Sequence, residues 1–207
     1  MPSADTNLFF LGAALLLAFT PGPDNLFVLM QSASEGRKAG ILVVLGLCTG
    51  LLVHTVAVTF GLAALFAASA TAFTVLEFVG AGYLAYLAWQ AFRAPAMKTE
   101  EERTAGSAWQ LYLRGIVMNL TNPKVVLFFL AFLPQFVRPE AGDIALQLAW
   151  FGLLLIVCTL LAFSVIAYLA GYFGEKLRRS EVAQRLLNRV AGFVFAGLAL
   201  KLVTSRS

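Results

Sequence analysis

One histidine, two cysteines and few charges are what this 207-residue chain has least of. Charged residues make up 13% of it, against about 25% in soluble domains, so the chain cannot build the solvated surface a soluble globular core needs. His54 stands alone, and one imidazole makes no transition-metal site without carboxylate or thiolate company. Metal-ion efflux is therefore a weak alternative, and no metal site is assigned. Cys48 and Cys158 lie within separate apolar runs, where buried inert thiols are the ordinary reading; a membrane redox protein passing electrons through them is the other. No Lys or Arg precedes the first apolar stretch in MPSADTN, and Pro21 stands where a small-residue cleavage site would be sought. That segment is expected to stay as a helix and not be removed as a signal peptide. No basic face with interleaved stacking aromatics lies outside the apolar runs, so nucleic acid is not expected as a partner. No catalytic residues and no cofactor are assigned.

What the chain does have is apolar length. Hydrophobic residues are 60% of it, and several runs exceed the roughly 18 to 20 residues that cross a bilayer. Six segments can be drawn, over residues 8–30, 39–62, 68–92, 111–136, 144–172 and 186–203. The last has a short uninterrupted part, residues 190–200, so a five-helix chain whose end lies in the interface is the alternative. The fold class expected is all-α: a polytopic membrane protein of six transmembrane helices in one transporter domain. Its first half is about 1–92 and its second about 111–207, with the polar stretch 93–110 between them. The uncharged AALFAASATA after segment two is expected to be a tight hairpin.

The cations orient this arrangement. Arg37, Lys38, Arg93, Lys98, Arg103, Arg114, Lys176, Arg178, Arg179, Arg185 and Arg189 fall on one side; Arg138, Lys201 and Arg206 fall on the other. By the positive-inside rule the first group is cytoplasmic, which puts both termini outside. Since three helices are an odd number, a second half built like the first enters from the opposite side, giving an inverted repeat. An offset of 100 residues sets Pro23 and Asp24 over Pro123 and Lys124.

Both of those prolines interrupt otherwise apolar helices. Thr20 to Asn25 form the sequence TPGPDN inside segment one, and Asn122, Pro123 and Lys124 lie inside segment four. Asn122 suits an N-cap and Pro123 the first helical position, so a new helix starts there; Thr20 or Gly22 can start the second part of segment one. A proline within a helix costs about 3 kcal/mol. Broken backbone at membrane depth is tolerated only against protein or a water-filled cavity. Both interruptions are therefore expected to face inward. Free N–H groups at a half-helix start suit a carboxylate, unwound carbonyls suit an ammonium, and the two together suit a zwitterion.

Asp24 near a helix start agrees with the helix dipole, whereas Lys124 near a helix start opposes it. An intramembrane lysine costs about 2.5 to 3.5 kcal/mol on insertion scales, so Lys124 needs a partner: Asp24 at rest, a substrate carboxylate when loaded. The pair can be a fixed tie between helices or part of a transport path, and ionisable residues beside broken helices favour the path. Glu77 in segment three rivals Asp24 as a proton carrier, or makes an interhelical hydrogen bond. Gly46 and Gly50 suit close helix packing, with a homodimer interface as the alternative. The run EKLRRSEVAQRLLNR is expected to be a basic helix on the cytoplasmic surface.

TPGPDNLFVL and NPKVVLFFLAFLPQF resemble the corresponding motifs of bacterial amino-acid exporters of the lysine exporter and homoserine/threonine exporter type. The resemblance extends over essentially the whole chain. It implies efflux of an amino acid or derivative across a bacterial inner membrane, driven by the proton gradient. Its motifs fall on Pro21, Gly22, Pro23 and Asp24, and on Asn122, Pro123 and Lys124. Family members carry Asp or Asn at the position of Asp24, which favours a substrate-facing or structural role there over an obligatory proton carrier. With Asn25 and Asn119, these residues form the expected substrate site; Asp24 and Glu77 are the candidates for proton coupling. The partners expected are a small amino-acid substrate, protons and the lipid bilayer.

Overall fold

The computed structural model describes residues 2–20, 22–68 and 107–179, with isolated helical positions between 75 and 93 and between 189 and 200. Among the described residues the regular structure is entirely helical. Helix α1 (Ala4–Phe19) starts on Ser3, whose side chain accepts from the Thr6 N–H, and ends at Thr20. Helix α2 (Pro23–Glu35) starts on Gly22 with Pro23 in the first turn, where a missing N–H costs nothing. Of the two starting points the sequence allows, the chain uses Gly22, and Thr20 closes the helix before it.

Gly36, at φ 89°, ends α2 in a conformation that L side chains rarely adopt, and α3 (Arg37–Ala68) follows directly. Helix α3 runs through Ala68, so the first part of the expected hairpin is helix, and the rest lies outside the described residues. Helix α4 (Ala108–Thr121) begins three residues before the apolar segment, because Ser107 and Gln110 cap each other reciprocally. After Asn122 comes the short helix α5 (Pro123–Leu127).

The chain does not continue as a plain helix to residue 136. Pro134 has no N–H for the Leu130 carbonyl, and the helix widens to a π turn over Phe128–Phe132 before tightening to a 3-10 turn over Leu133–Phe136. Gln135 donates its side-chain amide to the Ala131 carbonyl at 2.7 Å. A further 3-10 turn, Pro139–Ala141, leads to α6 (Ile144–Arg179). Gln147, 1% exposed, ties that turn down by accepting from the Arg138 N–H and donating to the carbonyls of Arg138 and Gly142. Helix α6 runs on through Glu175 to Arg179, so the start of the expected surface helix continues a membrane helix instead.

Two stretches, Arg37–Gly61 and Ile144–Ala170, are long and apolar enough to cross a bilayer singly. The pairs Ala4–Phe19 with Pro23–Glu35, bent by 57°, and Ala108–Thr121 with Pro123–Phe136, bent by 50°, do so if each counts as one broken span. Most of segments three and six lies outside the described residues, although Phe92 and Phe193 meet edge to face at 5.1 Å. Leu45, Leu52 and Val56 on α3 and Leu153 and Leu161 on α6 are exposed, as a lipid-facing surface requires.

Helix α3 packs on α4 and α6, and α2 packs on α6. The α3–α4 crossing is close because Gly46 and Gly115 face each other: a side chain on either would strike the other helix's backbone. Gly50 in turn leaves room for Asn119. These glycines are used within the chain, so Gly46 and Gly50 do not offer a face to a second copy.

The apolar interior is divided in two. One cluster joins Phe10 and Leu17 of α1 to Phe128, Phe132 and Phe136, with Phe151 and Leu155 of α6. The other joins Val28 of α2 to Val43 and Leu47 of α3, Leu111 of α4, and Ala162, Phe163 and Ala167 of α6. The division falls between Leu47 and Leu51 on α3 and between Cys158 and Ala162 on α6. Both helix breaks lie at that level.

Candidate functional site

Between the two clusters is a layer of buried polar side chains. Thr20, Asp24, Asn25, Asn119, Asn122 and Lys124 are all under 10% exposed. Two of them serve as ordinary helix ends. Asn122 accepts from the Lys124 N–H at 3.0 Å, and its carbonyl takes the N–H groups of Val125 and Val126. Thr20 donates its hydroxyl to the Leu16 carbonyl at 2.7 Å. The N–H groups after Pro123, expected to be open to a carboxylate, thus already have partners.

Lys124 finds a partner that the chain order conceals. Its Nζ donates to the carbonyls of Leu17, at 3.3 Å, and Thr20, at 3.1 Å. The lysine opposes the dipole of the helix it starts but completes the end of α1, where the last carbonyls carry partial negative charge. Asn25 adds to this end by donating Nδ2 to the Ala18 carbonyl at 2.6 Å. The unwound carbonyls before Pro21, expected to await a substrate ammonium, are held by Lys124 and Asn25. Pro21 itself lies outside the described residues.

The approach of the two breaks leaves little room for a side chain at position 22. A Cβ there would stand 3.2 Å from Nζ of Lys124. Gly22 has φ −168°, open to any residue, so closeness and not backbone conformation is what favours glycine.

The charges of Asp24 and Lys124 attract each other, while the hydrogen bonds of Lys124 Nζ go to backbone carbonyls. The Asp24 carboxyl has Asn122, Asn119 and Lys124 as polar neighbours, yet Oδ1 accepts no hydrogen bond. Three further atoms of this layer are buried without a partner: Asn25 Oδ1, Asn119 Oδ1 and Asn122 Nδ2. The layer therefore holds three acceptors and one donor without a well-formed hydrogen bond, although the Asn122 and Asn119 side chains lie beside the Asp24 carboxyl. Each such atom costs about 1 to 3 kcal/mol when nothing meets it.

A cavity of about 20 Å³ opens here, bounded by Asp24, Lys124, Asn119 and Thr159 and by apolar side chains including Leu51, Phe128 and Phe163. It has room for about one water and none for an amino acid. Thr159, Phe163 and Leu51 have no signature in the sequence: a lone threonine in an apolar run carries no signal, and cavity walls depend on how the helices pack.

His54 is half-buried at the second break, with Nε2 3.4 Å from the Asn119 carbonyl and its ring stacked on Phe129 at 5.4 Å. Cys48 and Cys158 are free thiols. Cys158 belongs to one apolar cluster and Cys48 packs against the other. Among the described residues no group of three or more His, Cys, Asp or Glu could hold a metal ion. Glu77 lies outside the described residues.

A buried charged layer between two proline-broken helices, wrapped in apolar outer faces, defines a membrane transport protein. The family model described as "LysE type translocator" matches residues 15–206, and the chain belongs to that family. It is 31% identical to a homoserine/homoserine lactone efflux protein of Salmonella typhimurium, over 95% of each chain. It is 29% identical to an uncharacterized membrane protein of Bacillus subtilis, over 94% of this chain and 96% of the relative. An uncharacterized membrane protein of Vibrio cholerae is 30% identical over 97% of each. No solved structure matches the chain significantly.

Proposed function

We propose that this protein exports an amino acid or a small amino-acid derivative across the bacterial inner membrane, by alternating access around the polar layer, with the proton gradient as driving force. The observation that carries the reading is the set of unpaired atoms: Asp24 Oδ1, Asn25 Oδ1 and Asn119 Oδ1 as acceptors beside Asn122 Nδ2 as donor. That set suits an ammonium group next to a carbonyl or carboxyl oxygen. The relative named for homoserine and homoserine lactone efflux supports a substrate of this size and chemistry.

In the proposed cycle the substrate ammonium settles on Asp24, and Lys124 leaves the carbonyls of Leu17 and Thr20 to meet the substrate's carboxyl end. Gly22, Pro23 and Pro123 let the two helix ends approach, and Pro21 belongs to the proposed site by its place in the TPGPDN motif. Two halves of opposite orientation then rock about the layer. The basic ends of α3 and α6 face the cytoplasm and both termini face outward. On the outer side the phenylalanine cluster of Phe10, Phe128, Phe132, Phe136 and Phe151 forms the seal, with ring centroids of neighbours such as Phe10 and Phe151 4.7 Å apart. Asp24 is the proton carrier proposed among the described acids.

The test is efflux from cells loaded with a panel of amino acids and lactones, comparing wild type with Lys124→Ala and Asp24→Asn. Loss of export of one substrate class in both variants is expected, together with loss of wild-type export when the proton gradient is collapsed. Undiminished export by Lys124→Ala would overturn the site, and undiminished export without the gradient would overturn the coupling.

A further inference from the structure

The unpaired atoms do not stop at the polar layer. Among the described residues eight buried side-chain polar atoms have no partner; four belong to the layer, and Gln31 Nε2 and Ser32 Oγ are two more. The other two, on Thr59 and Gln135, lie on different elements. Gln31 and Ser32 follow Asp24 and Asn25 by seven residues each, two helical turns along the same face of α2. The buried face of that helix is Asp24, Asn25, Val28, Gln31 and Ser32, and half-buried Glu35 ends it. An interior helix face in a membrane protein has no packing need for so polar a column.

Ser32 shows that the column is not merely a set of satisfied packing groups. A helical hydroxyl can donate to the carbonyl four residues back, and Thr20, Ser34, Thr49, Thr55 and Thr121 do so, whereas Thr59 on α3 does not. Ser32, fully buried against Gly40 and Ala167, does not. Its hydroxyl and the Gln31 Nε2 are buried without a hydrogen-bond partner. A buried polar group without a partner in the protein calls for one, which a water or a travelling molecule can supply.

Resting on the transport reading above, we infer that the inner face of α2 lines the passage between the polar layer and the Glu35 end, closed here, and that Gln31 and Ser32 are a second, waystation site for the travelling amino acid. Val28, with no exposed surface, separates the two tiers and closes the passage between them. A neutral amide and hydroxyl offer both donors and acceptors, so this tier takes the ammonium and carboxyl ends alike without holding either strongly. On the opposite side the stretch after Pro123 buries Val125, Phe128, Phe129 and Phe132, and the unpaired atoms among the described residues there, on Thr59 and Gln135, sit on two separate elements and form no column along one helix face.

The experiment uses the full-length protein with Cys48 and Cys158 replaced by alanine and a single cysteine introduced as Ser32→Cys, Gln31→Cys or Leu45→Cys. Inside-out and right-side-out membrane vesicles are treated with a positively charged, membrane-impermeant methanethiosulfonate, which reacts with thiols that water reaches. Ser32→Cys and Gln31→Cys are expected to react from the α2–α3 turn side only, about tenfold faster than lipid-facing Leu45→Cys, and to be protected by the transported amino acid. Should Ser32→Cys fail to accumulate, Gln31→Cys gives the same readout. Two inert cysteines, from both sides and with or without substrate, in a protein whose wild type exports an amino acid, would overturn the passage alone. A wild type that exports no amino acid would overturn the transport reading on which it rests.

Discussion

Lys124 resolves a conflict between its own helix and another one. At the start of α5 its charge faces the positive end of the dipole, and the end of α1, more than a hundred residues away in sequence, offsets it through the carbonyls of Leu17 and Thr20, together with the nearby charge of Asp24. Lys124→Met should therefore both abolish export and destabilise the protein by about 1 to 3 kcal/mol, the cost of leaving the Thr20 carbonyl unmet, while the Leu17 carbonyl keeps the Thr20 N–H; transport assays and thermal unfolding in detergent read the two effects. Gly22→Ala tests closeness separately from charge. Its backbone is open to alanine, so the expected result is normal insertion, a stability loss under about 1 kcal/mol and impaired export; full export would show that Lys124 does not need the space. The lysine's need for a partner was legible in the sequence, because the cost of an intramembrane cation is general. Its actual partner was not, since carbonyls carry no sequence signature and any residue at positions 17 and 20 would supply them.

The broken helices show capping and site chemistry sharing one side chain. Asn122 uses Oδ1 to start α5 and leaves Nδ2 unpaired beside Asp24, so the two roles can be parted by substitution. Asn122→Ser keeps an N-cap oxygen and removes the amide: stability should stay within about 0.5 kcal/mol of wild type while export falls. Asn122→Ala should lose export and in addition about 1 kcal/mol. Equal export by the serine variant and wild type would make Asn122 a cap and nothing more. Both breaks were legible, because proline and a capping residue inside an apolar run have few other meanings. The π turn over Phe128–Phe132 was less so: Pro134 announces a disturbance, but the local repeat cannot say whether the helix ends, kinks or widens.

Across the whole molecule, a polar layer separates two apolar clusters, and the tight α3–α4 crossing beside it is a backbone contact with no room to adjust. Gly115→Leu should cost more than about 3 kcal/mol and prevent accumulation in the membrane, whereas Gly12→Ala, with nothing near its Cβ position, should be neutral. Membrane levels of the two variants decide this. The bilayer class and the apolar segments were visible in composition and run length, whereas the level at which the clusters divide was not. That level depends on which turns of α3 and α6 meet the breaks, a property of packing that no single segment encodes. The measurement that goes most directly to the centre of the proposal is an experimental structure with the transported amino acid bound. The substrate ammonium should lie against Asp24, with Nζ of Lys124 lifted from the carbonyls of Leu17 and Thr20. A substrate bound elsewhere, with Lys124 still on those carbonyls and the layer still shut, would contradict it.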